Sequence, residues 1–179
     1  MLIRSDESPL AFPSDSQPWT ARVDALYIDD FNDTSSVAGR LQLDTASRFG
    51  IDTEWNYRHE DLPNGEHDDL WTGDFNVVYR FAQSEHWQFR SGLGFNWLSD
   101  ESGSEFGWNL TYGFDAYPIK PIVFSTSVDL GRLGREGLQH VRTTIGIQLK
   151  RLQIYAGYDL YQVGSVEIDG FISGLQLSF

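Results

Sequence analysis

Charged side chains sit on one parity of most segments of this chain. Arg22 and Asp24 stand two residues apart, as do Asp52 and Glu54, and Arg40, Asp44, Arg58, Asp74, Arg80, Arg90, Asp115, Asp129, Arg142 and Asp159 each alternate with apolar neighbours. In an extended chain, residues of one parity share a face. Arginines and carboxylates gathered on one face can neutralise one another in a salt-bridge network, line a narrow polar passage for ions or small solutes, or supply acids and bases. The four histidines, His59, His67, His86 and His140, are the candidate general bases. His140 shares its face with Arg142, and His59 adjoins Glu60 and Asp61. No G-x-S-x-G or comparable nucleophile motif accompanies them, so no catalytic residue is assigned. A second concentration of chemistry is the acidic stretch Glu60 to Asp69, where Glu60, Asp61, Glu66, Asp68 and Asp69 offer hard oxygen ligands for a divalent cation without EF-hand spacing. The plainer reading is a solvated acidic loop.

Composition narrows these options. Cysteine is absent, which removes disulfides, Cys-based zinc sites and thiol nucleophiles. A net charge of -13 argues against nucleic acid as a partner. No cofactor motif is found. The Met1–Ser8 stretch lacks an apolar h-region, so an export signal is expected to have been removed or to lie upstream.

The elements that must position these residues are strands. Residues 1–18 are polar, interrupted by Pro9, Pro13 and Pro18, and read as an extended or disordered lead-in. From Trp19 to Phe179 the pattern is period-2 alternation in ten segments, with no helical period. Trp19, Ala21, Val23, Ala25 and Tyr27 open the series; Phe171, Leu175, Leu177 and Phe179 close it. Pro63-Asn64-Gly65, the Pro118–Pro121 segment and Lys150-Arg151 mark turns. The connections after the odd strands are expected to be longer and acidic, and those after the even strands short. The pattern predicts an all-β, antiparallel up-and-down barrel over 19–179, with ten strands and with eight or twelve as alternatives.

Sorting by face leaves open which side is inside. A soluble barrel holding an apolar ligand would turn the oily face inward. Three features favour the reverse. The charged face uses arginine with carboxylates, while Lys120 and Lys150, the only lysines, lie in turns. That face is also rich in glycine, which suits a crowded interior. Finally, aromatics gather toward both ends of the oily strands: Tyr27, Trp55, Tyr57, Trp71, Trp97 and Trp108 at one end, and Tyr79, Trp87, Phe114 and Phe179 at the other. Two aromatic girdles are what two membrane interfaces select.

The terminal alternation ending in Phe179, together with the strand pattern over 19–179, resembles the bacterial outer-membrane β-barrels, of the small OmpX/OmpA-like and ten-stranded types. Leu177 stands where tyrosine is frequent in that C-terminal signal. The resemblance implies location in a bacterial outer membrane, contact with its lipid, and recognition of the Phe179 strand by the barrel-assembly machinery. It implies nothing about an activity. The expected role is structural, or that of a narrow channel with a charged, largely filled lumen; the alternatives are the soluble ligand-binding barrel and an outer-membrane barrel enzyme.

Overall fold

The computed structural model describes residues 18–29, 34–61, 67–100 and 103–179. These form ten strands: β1 (Trp19–Asp29), β2 (Thr34–Thr45), β3 (Phe49–Asp61), β4 (His67–Gln83), β5 (Trp87–Asp100), β6 (Gly103–Ala116), β7 (Ile122–Leu133), β8 (Glu136–Leu149), β9 (Leu152–Val163) and β10 (Val166–Ser178). Every strand pairs antiparallel with its sequence neighbours, and β1 pairs with β10, so the sheet closes on itself. Ten strands, rather than eight or twelve, are therefore the count. The lead-in over residues 1–17 lies outside the described residues.

Closure runs through the terminal alternation. Val23 stands opposite Leu177, Ala25 opposite Leu175 and Tyr27 opposite Ser173. The Phe179 N–H donates to the Ala21 carbonyl at 2.8 Å, extending the seam one residue beyond β10. A one-residue slip here would turn every side chain of β10 to the wrong face. The end at which β1 begins and β10 finishes is called the lower end below, and the opposite end the upper.

The connections depart from the sequence expectation. Those at the upper end are not uniformly long: β7–β8 and β9–β10 turn through two residues each, Gly134-Arg135 and Gly164-Ser165. The glycines supply the left-handed φ angles of 57° and 59° that these turns need. Residues expected in loops have joined the strands. The segment Arg132–Gly137 is mostly β7 and β8, and the acidic stretch is taken up by β3 through Asp61 and by β4 from His67. The physical reason is that strand pairing needs only backbone and continues until a turn residue stops it, whether or not the side chains are apolar.

Alternation decides the faces. On β5 the apolar Leu93 and Phe95 are 60% and 47% exposed, while the intervening Arg90 and Asn96 are 4% and 3% exposed. Leu110, Tyr112, Ile145, Ile147, Ile154 and Leu175 also lie on the outside. The oily face is the outer surface and the charged face is the interior, the reverse of the ligand-binding barrel considered above. The interior is tight. A Cβ built on Gly174 would stand 2.5 to 2.9 Å from the Tyr155 ring and hydroxyl. Gly174→Val is therefore expected to destabilise the barrel by about 1–3 kcal/mol through overpacking, read from urea unfolding followed by tryptophan fluorescence.

Candidate functional site: the charged interior

The interior face collects the charged residues singled out above. Asp24, Asp44, Asp52, Glu54, Arg58, Arg80, Arg90, Asp115, Asp129, Arg142 and Asp159 are all buried, and Arg22, Arg40 and Asp74 half-buried. Near the lower end Arg22 reaches Asp44 at 3.1 Å and Asp115 at 3.7 Å. Arg90 also holds Asp115, at 2.5 Å, and Arg80 approaches Asp44 at 3.4 Å while donating to the Thr45 carbonyl. Higher, Arg40 grips both oxygens of Asp52 at 2.7 and 2.5 Å, and the Gln42 amide donates to the same carboxylate at 2.7 Å. Asp24 accepts from the Gln176 amide at 3.0 and 3.2 Å across the seam.

The central element is Arg142 on β8. Its two terminal nitrogens donate to the carboxylate of Glu54 on β3 at 2.5 and 2.9 Å, and its Nε donates to Asp159 on β9 at 2.6 Å. Strands β3 and β8 are not neighbours in the sheet. This guanidinium is therefore a strut across the barrel, and only the planar fork of arginine could serve two carboxylates in two directions. His140, proposed from sequence as a general base, is part of the same group. Its Nε2 lies 2.9 Å from Asp159 and its Nδ1 3.4 Å from Asp129. Asp129 also accepts a hydrogen bond from Thr111 at 2.5 Å.

Not every charge is matched as the sequence suggested. Arg58 has no carboxylate partner among the described residues; its guanidinium stacks 4.7 Å from the centre of the Tyr161 ring. Asp74 receives the Asn76 amide at 2.8 Å and no guanidinium. The acidic stretch is only partly in view. Glu66 and the side chains of Glu60, Asp61 and Asp68 lie outside the described residues, and Asp69 accepts from the Tyr57 hydroxyl at 2.8 Å. Among the described residues no three His, Asp or Glu side chains converge to hold a metal ion. His86 lies in an exposed turn.

Apolar residues also face inward: parity puts Leu26, Ala38 and Tyr155 on the charged face, while Ile28 and Ile172 are left unassigned by sequence reasoning. Leu26, Ile28, Ala38, Tyr155 and Ile172 form a buried cluster in the upper half of the interior beneath the seam. Leu133 and Leu138 are buried near the upper ends of β7 and β8, and Tyr117 packs on Val123 near the lower end. The available signal was a break in parity: Ile28 and Ile172 occupy the polar register of their strands. The spaces left between these groups are small. One lies among Arg22, Arg40, Arg90 and Tyr155, a second between Asp52, Asp74 and Arg142, and a third between Asn56, Asn109 and Tyr161. Together they admit only a few water-sized molecules.

The outer surface carries the aromatics read from sequence. Tyr27, Trp55, Trp71 and Trp108 toward the upper end, and Tyr79, Trp87 and Phe179 toward the lower, are exposed, while Tyr57, Trp97 and Phe114 are half-covered by neighbours. Tyr57 packs on Trp71 with ring centres 4.9 Å apart, and Phe89 on Phe114 at 4.5 Å.

Fold and interior together define a closed ten-stranded antiparallel β-barrel with a charged, ion-paired core and an apolar exterior. No family model matches the chain, and no curated protein matches it. Among solved structures it is similar to CdiB from Acinetobacter baumannii, with a TM-score of 0.45 and 9% identity, the likeness covering 85% of this chain and 40% of that one.

Removing the strut tests the energetic reading. Arg142→Ala leaves Glu54 and Asp159 buried without their partner and is expected to cost about 3–5 kcal/mol. Combining Arg142→Met with Glu54→Gln and Asp159→Asn should recover most of that loss, because no uncompensated charge then remains. Equilibrium unfolding of the variants measures both.

Proposed function

We propose that this chain is an integral outer-membrane β-barrel whose lumen is plugged by its own side chains, with a structural role. The observation that carries this reading is the inverted polarity: apolar outside, ionic inside. A water-facing surface bearing Leu93, Phe95, Trp108, Ile145, Ile147 and Phe171 exposed together would be a severe aggregation hazard, whereas lipid rewards it. The height of the belt agrees. On β5 the outward apolar series runs from Trp87 to Trp97, about 33 Å of strand, which at a tilt near 40° rises about 25 Å, the thickness of the outer-membrane apolar band. The aromatics at its two margins would lie at the two interfaces.

A second reading, a narrow conduit for ions, draws on the small polar spaces between the charge layers. Against a porin-like pore stand the Arg142–Glu54 strut and the inward apolar cluster of Leu26, Ile28 and Ile172. An enzymatic reading has less support. His140 is buried with a carboxylate at each ring nitrogen, away from any groove a lipid or peptide could enter.

Two measurements test these readings. Leu93→Arg is expected to cost about 2–4 kcal/mol in lipid, because it places a charge near the bilayer midplane; a value within about 0.5 kcal/mol, normal for a water-exposed position, would contradict the membrane assignment. In planar bilayers the wild-type protein should give no steady current of porin size. A large ohmic conductance would overturn the plugged-lumen reading while leaving the membrane reading intact.

A further inference from the structure

The arginines of the interior are not evenly shared. Arg22, Arg80 and Arg90 serve Asp44 and Asp115 at the lower end. In the upper half Arg40 is committed to Asp52, Arg142 to Glu54 and Asp159, and Arg58 to the face of Tyr161. Asp74 and Asp129 are left facing the same two small chambers. Asp129 has the Thr111 hydroxyl and, at 3.4 Å, His140; Asp74 has the Asn76 amide. The charges acting most strongly on Asp74 are the carboxylates of Asp129, Glu54 and Asp52, ahead of Arg40. Asp74 lines both chambers.

The rest of the upper chamber wall is an independent observation. Asn56, Thr72, Asn96 and Asn109 line it and are 6%, 3%, 3% and 1% exposed. The Asn56 and Asn109 carbonyl oxygens and the Thr72 hydroxyl have no hydrogen-bond partner. Asn56 spends its amide hydrogens on Glu54 at 2.9 Å and Asn109 its own on Thr111 at 3.3 Å, leaving their carbonyl oxygens uncommitted. A buried polar atom without a partner is costly, and this chamber concentrates four such oxygens, on Asn56, Thr72, Asn96 and Asn109, and the Asn96 amide nitrogen, beside the carboxylates of Asp74 and Asp129 and the imidazole of His140.

Carboxylate, amide and hydroxyl oxygens predominate on this wall, beside the His140 imidazole and the Leu138 and Tyr161 side chains, and such oxygens suit hard cations rather than transition metals. Two carboxylates joined by neutral amide and hydroxyl oxygens suit a weakly charged ion, and the chamber accepts a species about the size of one water. We propose that the upper chamber is a monovalent-cation site, in which a sodium- or potassium-sized ion held by Asp74, Asp129, Asn56, Thr72 and Asn109 supplies the positive charge that the arginines do not. The site is inside the barrel wall, so the proposal stands independently of the membrane reading.

The test uses the full chain, folded in detergent. Crystals soaked in thallium(I), a potassium substitute, should show an anomalous peak between Asp74 and Asp129. At equal ionic strength, wild-type protein should unfold at a higher temperature in sodium or potassium chloride than in choline chloride. Asp74→Asn should abolish that difference and weaken thallium binding at least about tenfold. Asn109→Asp, which adds a carboxylate at nearly constant size, should strengthen binding, and it keeps the test decisive if Asp74→Asn fails to fold. Absence of the anomalous peak together with equal stability in sodium, potassium and choline would overturn the proposal. Unchanged ion dependence in Asp74→Asn, or no strengthening in Asn109→Asp, would equally remove this site.

Discussion

A charge taken out of water must meet a counter-charge, and in this barrel one guanidinium meets that requirement in two directions at once. Arg142 binds a carboxylate on the adjacent strand and another on the far wall. Its position fixes Glu54 and Asp159, and through Asp159 fixes His140 and then Asp129. The barrel wall is close-packed on the same side: Cβ atoms added at Gly146 on β8, Gly157 on β9 and Gly174 on β10 would strike Gln153, backbone of β8 and Tyr155 respectively. The desolvation cost of such a core is large, and continuum reasoning finds buried ion pairs little better than apolar packing in net stability. What they add is cross-linking: Arg22 and Arg142 each hold two carboxylates carried on different strands.

The fold was legible in the sequence because its information is carried in a period of two, which single residues rarely disturb. Strand count, closure through the terminal seam and the separation of oily from charged faces all rest on that period. The interior was less legible. Parity tells that Arg58 and Asp74 point inward, but the partner of each is set by stagger and by which side chains reach across the lumen, and those are three-dimensional quantities. Arg58 met an aromatic face, and Asp74 met other carboxylates. Ile28 and Ile172 were missed because alternation was read for its oily face first, and an apolar residue on the polar parity looks like noise until its neighbour across the seam shares it. Loop lengths were misjudged because composition was taken as a stop signal. Aspartate and glutamate discourage a strand only mildly when the partner strand is already in place.

The two halves of the barrel differ in kind. Below Arg142, cations and carboxylates share bonds, with Arg22 and Arg90 both on Asp115 and Arg22 and Arg80 both on Asp44. Above it, amides, hydroxyls and acids predominate, and the fixed positive charge is turned onto carboxylates lower down or onto an aromatic ring. Such an arrangement gives the interior a polarity along its axis that no count of total charge reveals.

One consequence concerns the unequal strands. β4 has 17 residues against 11 in β1, a difference of about 20 Å of extended chain. Among the described residues, the start of β4 pairs with β3 before its pairing with β5 begins at Trp71 opposite Ser99, and the start of β6 pairs with β5 before its pairing with β7 begins at Gly107 opposite Leu133. A barrel is usually said to have no edges; unequal strands give this one short margins above its rim. Such margins invite addition of a foreign strand, and a charged residue such as the exposed Glu105 on β6 is the kind of gatekeeper that discourages it. Closing a sheet therefore does not by itself end the problem of edges: where strands outrun their neighbours, charge has to keep the margin from recruiting another chain.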